Sequence, residues 1–271
     1  MRKLLPALTA AVLLALTGAL PAAASTVPLP SSMASTGDSI TRAFDATFWG
    51  CFLTDCPQYS WSTGSGTIVN SQYRRILALN PAISGHAYND AKTGAKMADL
   101  DGQLKTAAGQ GVQYVTVLMG ANDLCTSSAA TMTPTATFQA ELQQALGDFF
   151  AADPNGLLYL SSLPDIYQLW SVLHTNSSAE NAWKTFNICQ SMLATTNTDA
   201  QRQLVVQQEA ADNSALQSTC ALFAGCRWDG YAGYNFKFPA TDISTIDYFH
   251  PNLRGQNDVA TVTWAAGYWG G

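Results

Sequence analysis

The chain has 271 residues, with 13 Lys and Arg against 19 Asp and Glu, a formal net charge of −6 and 47% hydrophobic residues. That acidic balance lacks the basic footprint needed to bind nucleic acid or an anionic membrane surface. Only 12% of residues are charged, which leaves enough apolar material for one buried core of α/β size.

The N-terminus reads as an export signal. Arg2 and Lys3 precede an Ala- and Leu-rich run over residues 4–20, and Ala22-Ala23-Ala24 offers the small residues at which a signal peptidase cuts. A membrane anchor is the competing reading, but Pro6, Thr9, Thr17 and Gly18 interrupt the run. The run is also short for a hydrocarbon core of about 30 Å. The expectation is a signal peptide over residues 1–24 and a secreted, extracellular remainder of 271 − 24 = 247 residues. The leader holds two basic residues and no acidic one, so the remainder carries 11 − 19 = −8. No later stretch is apolar enough to span, so no stable membrane anchor is expected. Residues 25–271 read as one domain, expected to be a monomer.

Residues 25–32 form a short polar, Pro-rich entry. Residues 31–36 are a poor strand by composition, yet Gly37-Asp38-Ser39 sits where a run gives way to a loop. Tyr114-Val115-Thr116-Val117-Leu118-Met119 and Gly156-Leu157-Leu158-Tyr159-Leu160 read as buried strands. Between them Phe138, Leu142, Ala145, Leu146 and Phe149 recur at helical spacing, and Pro154-Asn155-Gly156 supplies the stop. A second helix is predicted near residues 201–216. A third should follow Pro251, with Leu253, Val259 and Val262 facing inward. Strands alternating with helices every ~30 residues imply a parallel sheet covered on both faces. Ligands of such sheets bind beyond the carboxyl ends of the strands.

Six cysteines, Cys51, Cys56, Cys125, Cys189, Cys220 and Cys226, are an even number in an exported chain, which favours three disulfides. Their order along the chain suggests Cys51–Cys56, Cys125–Cys189 and Cys220–Cys226. A zinc site fits poorly, because no Cys-x-x-Cys occurs and His86, His174 and His250 are scattered. Asn176-Ser177-Ser178 is a glycosylation sequon.

Four short blocks carry the chemistry. The glycine before Ser39 permits a tight turn that exposes the hydroxyl, although Asp or Ser there also suits a helix N-cap. His250 follows Asp247 by three residues, a spacing at which the carboxylate reaches one ring nitrogen and leaves the other facing out. Asn122 offers a neutral NH2 donor, and Gly94 an unobstructed backbone N–H. With the Ser39 N–H these make three candidate oxyanion donors. Asp123 is expected to support its loop rather than react.

Gly37-Asp38-Ser39, Gly94, Gly120-Ala121-Asn122-Asp123 and Asp247-Tyr248-Phe249-His250, in this order, resemble the four blocks of the SGNH (GDSL) hydrolases. The resemblance covers residues 37–255. Leu163-Pro164-Asp165-Ile166-Tyr167-Gln168-Leu169-Trp170 and Phe249-His250-Pro251-Asn252 look most like secreted phospholipase B-like and bacterial lipase/esterase members. The departure at Ile40, where many members carry Leu, is minor. The resemblance implies a three-layer α/β/α flavodoxin-like fold with a central parallel sheet, and neither metal nor cofactor. It further implies Ser39 as nucleophile, His250 as base, Asp247 as its orienter, and Ser39, Gly94 and Asn122 as the oxyanion hole.

The expected activity is hydrolysis of carboxylic esters through an acyl-enzyme on Ser39. Lipid and phospholipid esters come first, resting mainly on the family likeness. Phe48, Trp49, Tyr248 and Phe249 are expected to line an acyl pocket. A carbohydrate acetyl esterase is the alternative, with Trp61, Trp228, Tyr231 and Tyr234 as sugar platforms. A non-catalytic binding module is a third reading, but such a chain would usually lack one of the four blocks.

Overall fold

The computed structural model describes Met1 and residues 27–270. Apart from Met1, the expected leader lies outside the described residues. Five strands, β1 (Met33–Gly37), β2 (Ala87–Asn89), β3 (Tyr114–Leu118), β4 (Leu157–Leu160) and β5 (Cys226–Trp228), form one sheet in the order β2-β1-β3-β4-β5. Every pairing is parallel, so each connection must cross over the sheet. The helices of eight or more residues are α1 (Gln72–Leu79), α2 (Leu100–Gln110), α3 (Thr135–Ala152), α4 (Ile166–Leu173), α5 (Ser177–Thr185), α6 (Asp199–Cys220) and α7 (Leu253–Ala266).

The two-residue period of a strand sends alternate side chains to opposite faces. Tyr114 and Leu118 join Met33 and Tyr159 against Tyr73 and Ile76 of α1 and Val259 and Ala260 of α7. Val115 and Val117 join Ala34, Leu158 and Leu160 on the other side, against Leu104 of α2, Phe138 of α3 and Leu216 of α6. The result is the expected three-layer α/β/α sandwich. Burying each such apolar side chain stabilises it by about 1.5–3 kcal/mol.

The segment that composition made a poor strand is β1, at the interior of the sheet and buried at all five residues. Hydroxyl partners explain its tolerance. Ser35 Oγ lies 2.8 Å from Thr63 Oγ1, Thr36 Oγ1 donates to Thr116 O at 3.1 Å, and Ser62 Oγ lies 2.7 Å from Thr116 Oγ1. A buried hydroxyl with a partner escapes most of its desolvation cost.

The helix expected near 201–216 runs longer, because Thr198 and Gln201 cap each other's backbone N–H groups at its start. The helix expected after Pro251 starts at Leu253. Asn252 Oδ1 accepts from the N–H groups of Arg254 and Gly255, while Pro251 bridges to Ile243. Of the three residues expected to face inward, Val259 is buried and Leu253 and Val262 are partly covered. The disulfides are Cys51–Cys56, Cys125–Cys189 and Cys220–Cys226, the pairings that chain order suggested. Among the described residues no helix is long and apolar enough to cross a membrane.

Candidate active site

The site forms at the carboxyl ends of β1, β2 and β3, where three loops and the turn before α7 converge. Gly37 ends β1 at φ +138°, and a Cβ there would meet Leu118 O at 2.3 Å. Only glycine lets the chain turn this close to β3. Gln103 of α2 clamps the turn on both sides. It accepts the Gly37 N–H at 2.7 Å and donates to the Gly37 carbonyl at 2.9 Å. Residues 38–46 then form turns rather than a helix, which removes the N-cap reading of Ser39.

The histidine arrives from the other end of the chain. Ser244 N–H donates to His250 O at 2.8 Å, Tyr248 N–H donates to Ser244 O at 3.0 Å, and Tyr248 sits at a left-handed φ of +56°. This knot turns Asp247 back onto its own loop. Asp247 Oδ1 accepts the N–H groups of Phe249 at 2.9 Å and His250 at 3.1 Å, and Oδ2 accepts the proton of His250 Nδ1. The opposite ring nitrogen, Nε2, lies 2.8 Å from Ser39 Oγ. A gap of 211 residues is thereby closed to hydrogen-bonding distance.

The three candidate oxyanion donors come from the same end of the sheet. Lys92 N–H donates to Gly37 O at 3.1 Å, tying the Gly94 loop to the end of β1. Gly94 takes φ +81°, a left-handed value that other residues rarely adopt. Asn122 donates from Nδ2 to Ala95 O at 2.9 Å, which commits one amide hydrogen and leaves the second. Neither the Ser39 N–H nor the Gly94 N–H has an acceptor among the described residues. Asp123 has a bracing contact, as expected of it. Its carboxylate accepts the Met97 N–H at 2.9 Å and braces the neighbouring loop.

The GDSL-like lipase/acylhydrolase family model matches residues 35–262. The chain belongs to the GDSL-like lipase/acylhydrolase family. Membership supports ester hydrolysis as the activity. Among curated proteins none matches the chain. Among solved structures, a GDSL-like lipase from Parabacteroides merdae has 15% identity over 87% of this chain and 94% of its own, with a TM-score of 0.54. The acetyl xylan esterase AlAXEase has 14% identity over 86% of this chain and 98% of its own, with a TM-score of 0.51. At such identities these two show the shared fold.

Burial governs the electrostatics of this GDSL-like acylhydrolase. Desolvation alone would push the Asp247 carboxyl up, but the His250 charge and the bonds from His250 and Phe249 outweigh it and hold the group below its usual range. Burial works against a charged His250, whereas Asp247, with Asp38 and Asp45, raises the imidazole above its ordinary value. Burial lifts Asp38 to about 6, against its bond from the Ile40 N–H and the His250 charge. The imidazole therefore holds a proton readily while still facing a neutral hydroxyl.

The aromatic residues separate. Phe249 lines an apolar slot of ≈ 60 Å³ together with Ile40, Ala121, Pro164, Phe238 and Pro251. Of these, Ile40, Ala121, Phe249 and Pro251 are next in sequence to Ser39, Asn122 and His250. Tyr248 is half-buried, its carbonyl held by the Trp183 indole N–H at 2.9 Å. Phe48 and Trp49 do not join the slot. They stand 61% and 85% exposed, because the short helical turn Phe48–Cys51 that carries them, just before the Cys51–Cys56 disulfide loop, faces outward. Trp61 cannot be a sugar platform: it is fully buried, its indole N–H bonded to Thr41 Oγ1 at 3.2 Å. Trp228, Tyr231 and Tyr234 are partly exposed.

Two contributors escaped sequence reasoning. Gln103 gives no signal beyond its place on a helix face, and Asp45 none beyond following Ser39 by six residues. Asp45, Asp247 and His250 also form the one grouping among the described residues dense enough to suit a metal ion. Two of its donor atoms, however, are already bonded to each other.

Proposed function

We propose that this chain is an exported serine hydrolase of carboxylic esters, with Ser39 as nucleophile, His250 as general base and Asp247 as its orienting carboxylate. The observation that carries the reading is the 2.8 Å contact between Ser39 Oγ and His250 Nε2, with Nδ1 occupied by Asp247. That arrangement fixes the tautomer in which Nε2 accepts a proton. As Ser39 attacks the ester carbonyl, its proton passes to His250, and the oxyanion is met by the N–H groups of Ser39 and Gly94 and the free amide hydrogen of Asn122. His250 then protonates the leaving alcohol. A water deprotonated by the same histidine releases the acid and restores Ser39.

Acyl lipids, phospholipids among them, are the preferred substrates. The slot supports this, since its lining is almost wholly apolar and its volume suits about four to six water-sized groups at 10–15 Å³ each. The start of an acyl chain fits, and the rest would lie along the surface. The slot's small size favours the second reading, removal of acetyl groups from carbohydrate. A series of p-nitrophenyl esters from acetyl to decanoyl, with phosphatidylcholine, separates the two. Activity rising beyond acetyl supports the lipid reading, and a strict acetyl preference overturns it. Ser39→Ala should abolish turnover throughout, and near-wild-type activity in that variant defeats the serine assignment.

A further inference from the structure

Asp45 is fully buried on the turn after β1, at a left-handed φ of +55°. Its backbone is pinned at both ends. The N–H donates to Thr54 O at 3.3 Å, and the carbonyl accepts from Ser244 Oγ at 2.7 Å. Its Oδ1 accepts the Leu53 N–H at 2.5 Å, while Oδ2 is buried without a hydrogen-bond partner among the described residues. A carboxyl oxygen of Asp45, one of Asp247 and a ring nitrogen of His250 all lie within 4.8 Å of one another.

Two carboxyl groups this close in a water-poor site repel each other when both are charged. A single proton held between them removes the repulsion and satisfies the orphan oxygen. Asp247 is the member better placed to stay charged, because three donors converge on it: Phe249 N–H, His250 N–H and His250 Nδ1. The Asp45 carboxyl receives one donor, the backbone N–H of Leu53. We propose that Asp45 is a positioning residue, a carboxylic acid that keeps its proton and donates it to Asp247, so that the carboxylate orienting His250 is itself held from behind. The inference rests on the catalytic reading of Ser39, His250 and Asp247.

The electrostatics agree with the geometry. Burial, then the Asp247 charge, pushes Asp45 up to about 7. The titratable groups facing it are Asp247 and His250, and Asp38 acts on the same imidazole. The sign follows. Below about 7 Asp45 is neutral and bridges Asp247. Above it, a second negative charge faces the pair, which stabilises the imidazolium and keeps the base protonated to higher pH. Asp45 therefore couples its own ionisation to that of His250.

The test compares wild type, Asp45→Asn and Asp45→Ala, with kcat and KM for p-nitrophenyl acetate measured across pH. Asn retains an acceptor for Leu53 and a donor toward Asp247 but cannot ionise. Its acid limb should become a single ionisation, displaced downward by about half a pH unit or more. Asp45→Ala should lose about tenfold or more in kcat, with KM within about twofold, and Asn should recover most of that loss. Infrared difference spectra between wild type and Asp45→Asn at pH 6 should show one protonated carboxyl band lost, a readout that needs neither activity nor the Ala variant. Superimposable pH profiles, or no such band, overturn the proposal. An active Ser39→Ala enzyme would instead overturn the catalytic reading, and the infrared result would still decide the state of Asp45.

Discussion

Asp247→Asn tests the proposed role of Asp247 in orienting His250. In wild type, Oδ1 holds the backbone of Phe249 and His250 while Oδ2 accepts from His250 Nδ1. Asparagine can keep the first two bonds through its oxygen, so the loop should retain its shape. Its NH2 group cannot accept from Nδ1, and the imidazole is pushed to the tautomer that presents N–H to Ser39, which cannot take a proton. Loss of a charge-assisted bond between buried groups is worth about 1.5–3 kcal/mol, or about 10- to 150-fold in rate. The tautomer error adds to this, so kcat/KM should fall about 10²- to 10⁴-fold. The loss should remain smaller than that of His250→Ala. A second signature accompanies the rate. Because Asp247 raises the imidazole pKa, its neutralisation should move the acid limb of kcat/KM to lower pH. Hydrolysis of p-nitrophenyl butyrate from about pH 5 to 9 reads both effects. Wild-type kcat/KM with an unmoved limb would refute the reasoning, since Asp247 would then have no part in holding the base.

Two further outcomes are expected. Asn122→Ala should lower kcat about 10²- to 10³-fold with KM changed less than about threefold, because the amide acts on charge that develops only in the transition state; a KM defect alone would contradict this. Asp212, buried on α6, is raised to about 6 mainly by burial, with Thr135 Oγ1 donating to its Oδ1 at 2.7 Å and Oδ2 without a hydrogen-bond partner among the described residues. A folded pKa above the unfolded value means stability is lost as pH rises through that window, roughly pH 4 to 6. Asp212→Asn should therefore raise the melting temperature at pH 8, by a stabilisation of about 1–3 kcal/mol, and raise it little at pH 4; an equal gain at both pH values would show that ionisation is not the cause.

Much of this protein was legible in its residues. The short apolar runs at 114–119 and 156–160 read as buried strands, and Phe138 to Phe149 have helical periodicity, because those patterns arise from local geometry. Chain order was enough to suggest the cysteine pairs. The segment 31–36 misled by composition, since the hydroxyl partners that make it a strand, Thr63 and Thr116, lie far away in sequence. Phe48 and Trp49 misled for a related reason. Nearness to Ser39 along the chain says nothing of which way the next loop turns.

By itself the sequence determined the types of group available, a hydroxyl, an imidazole, carboxylates and neutral donors, and the order in which they occur. Folding alone decided that Ser39 and His250 meet across 211 residues, that Gln103 locks the turn before Ser39, and that Asp45 lies close to Asp247. Such meetings depend on how a parallel sheet aligns the ends of its strands, a long-range consequence of packing that no local spacing encodes.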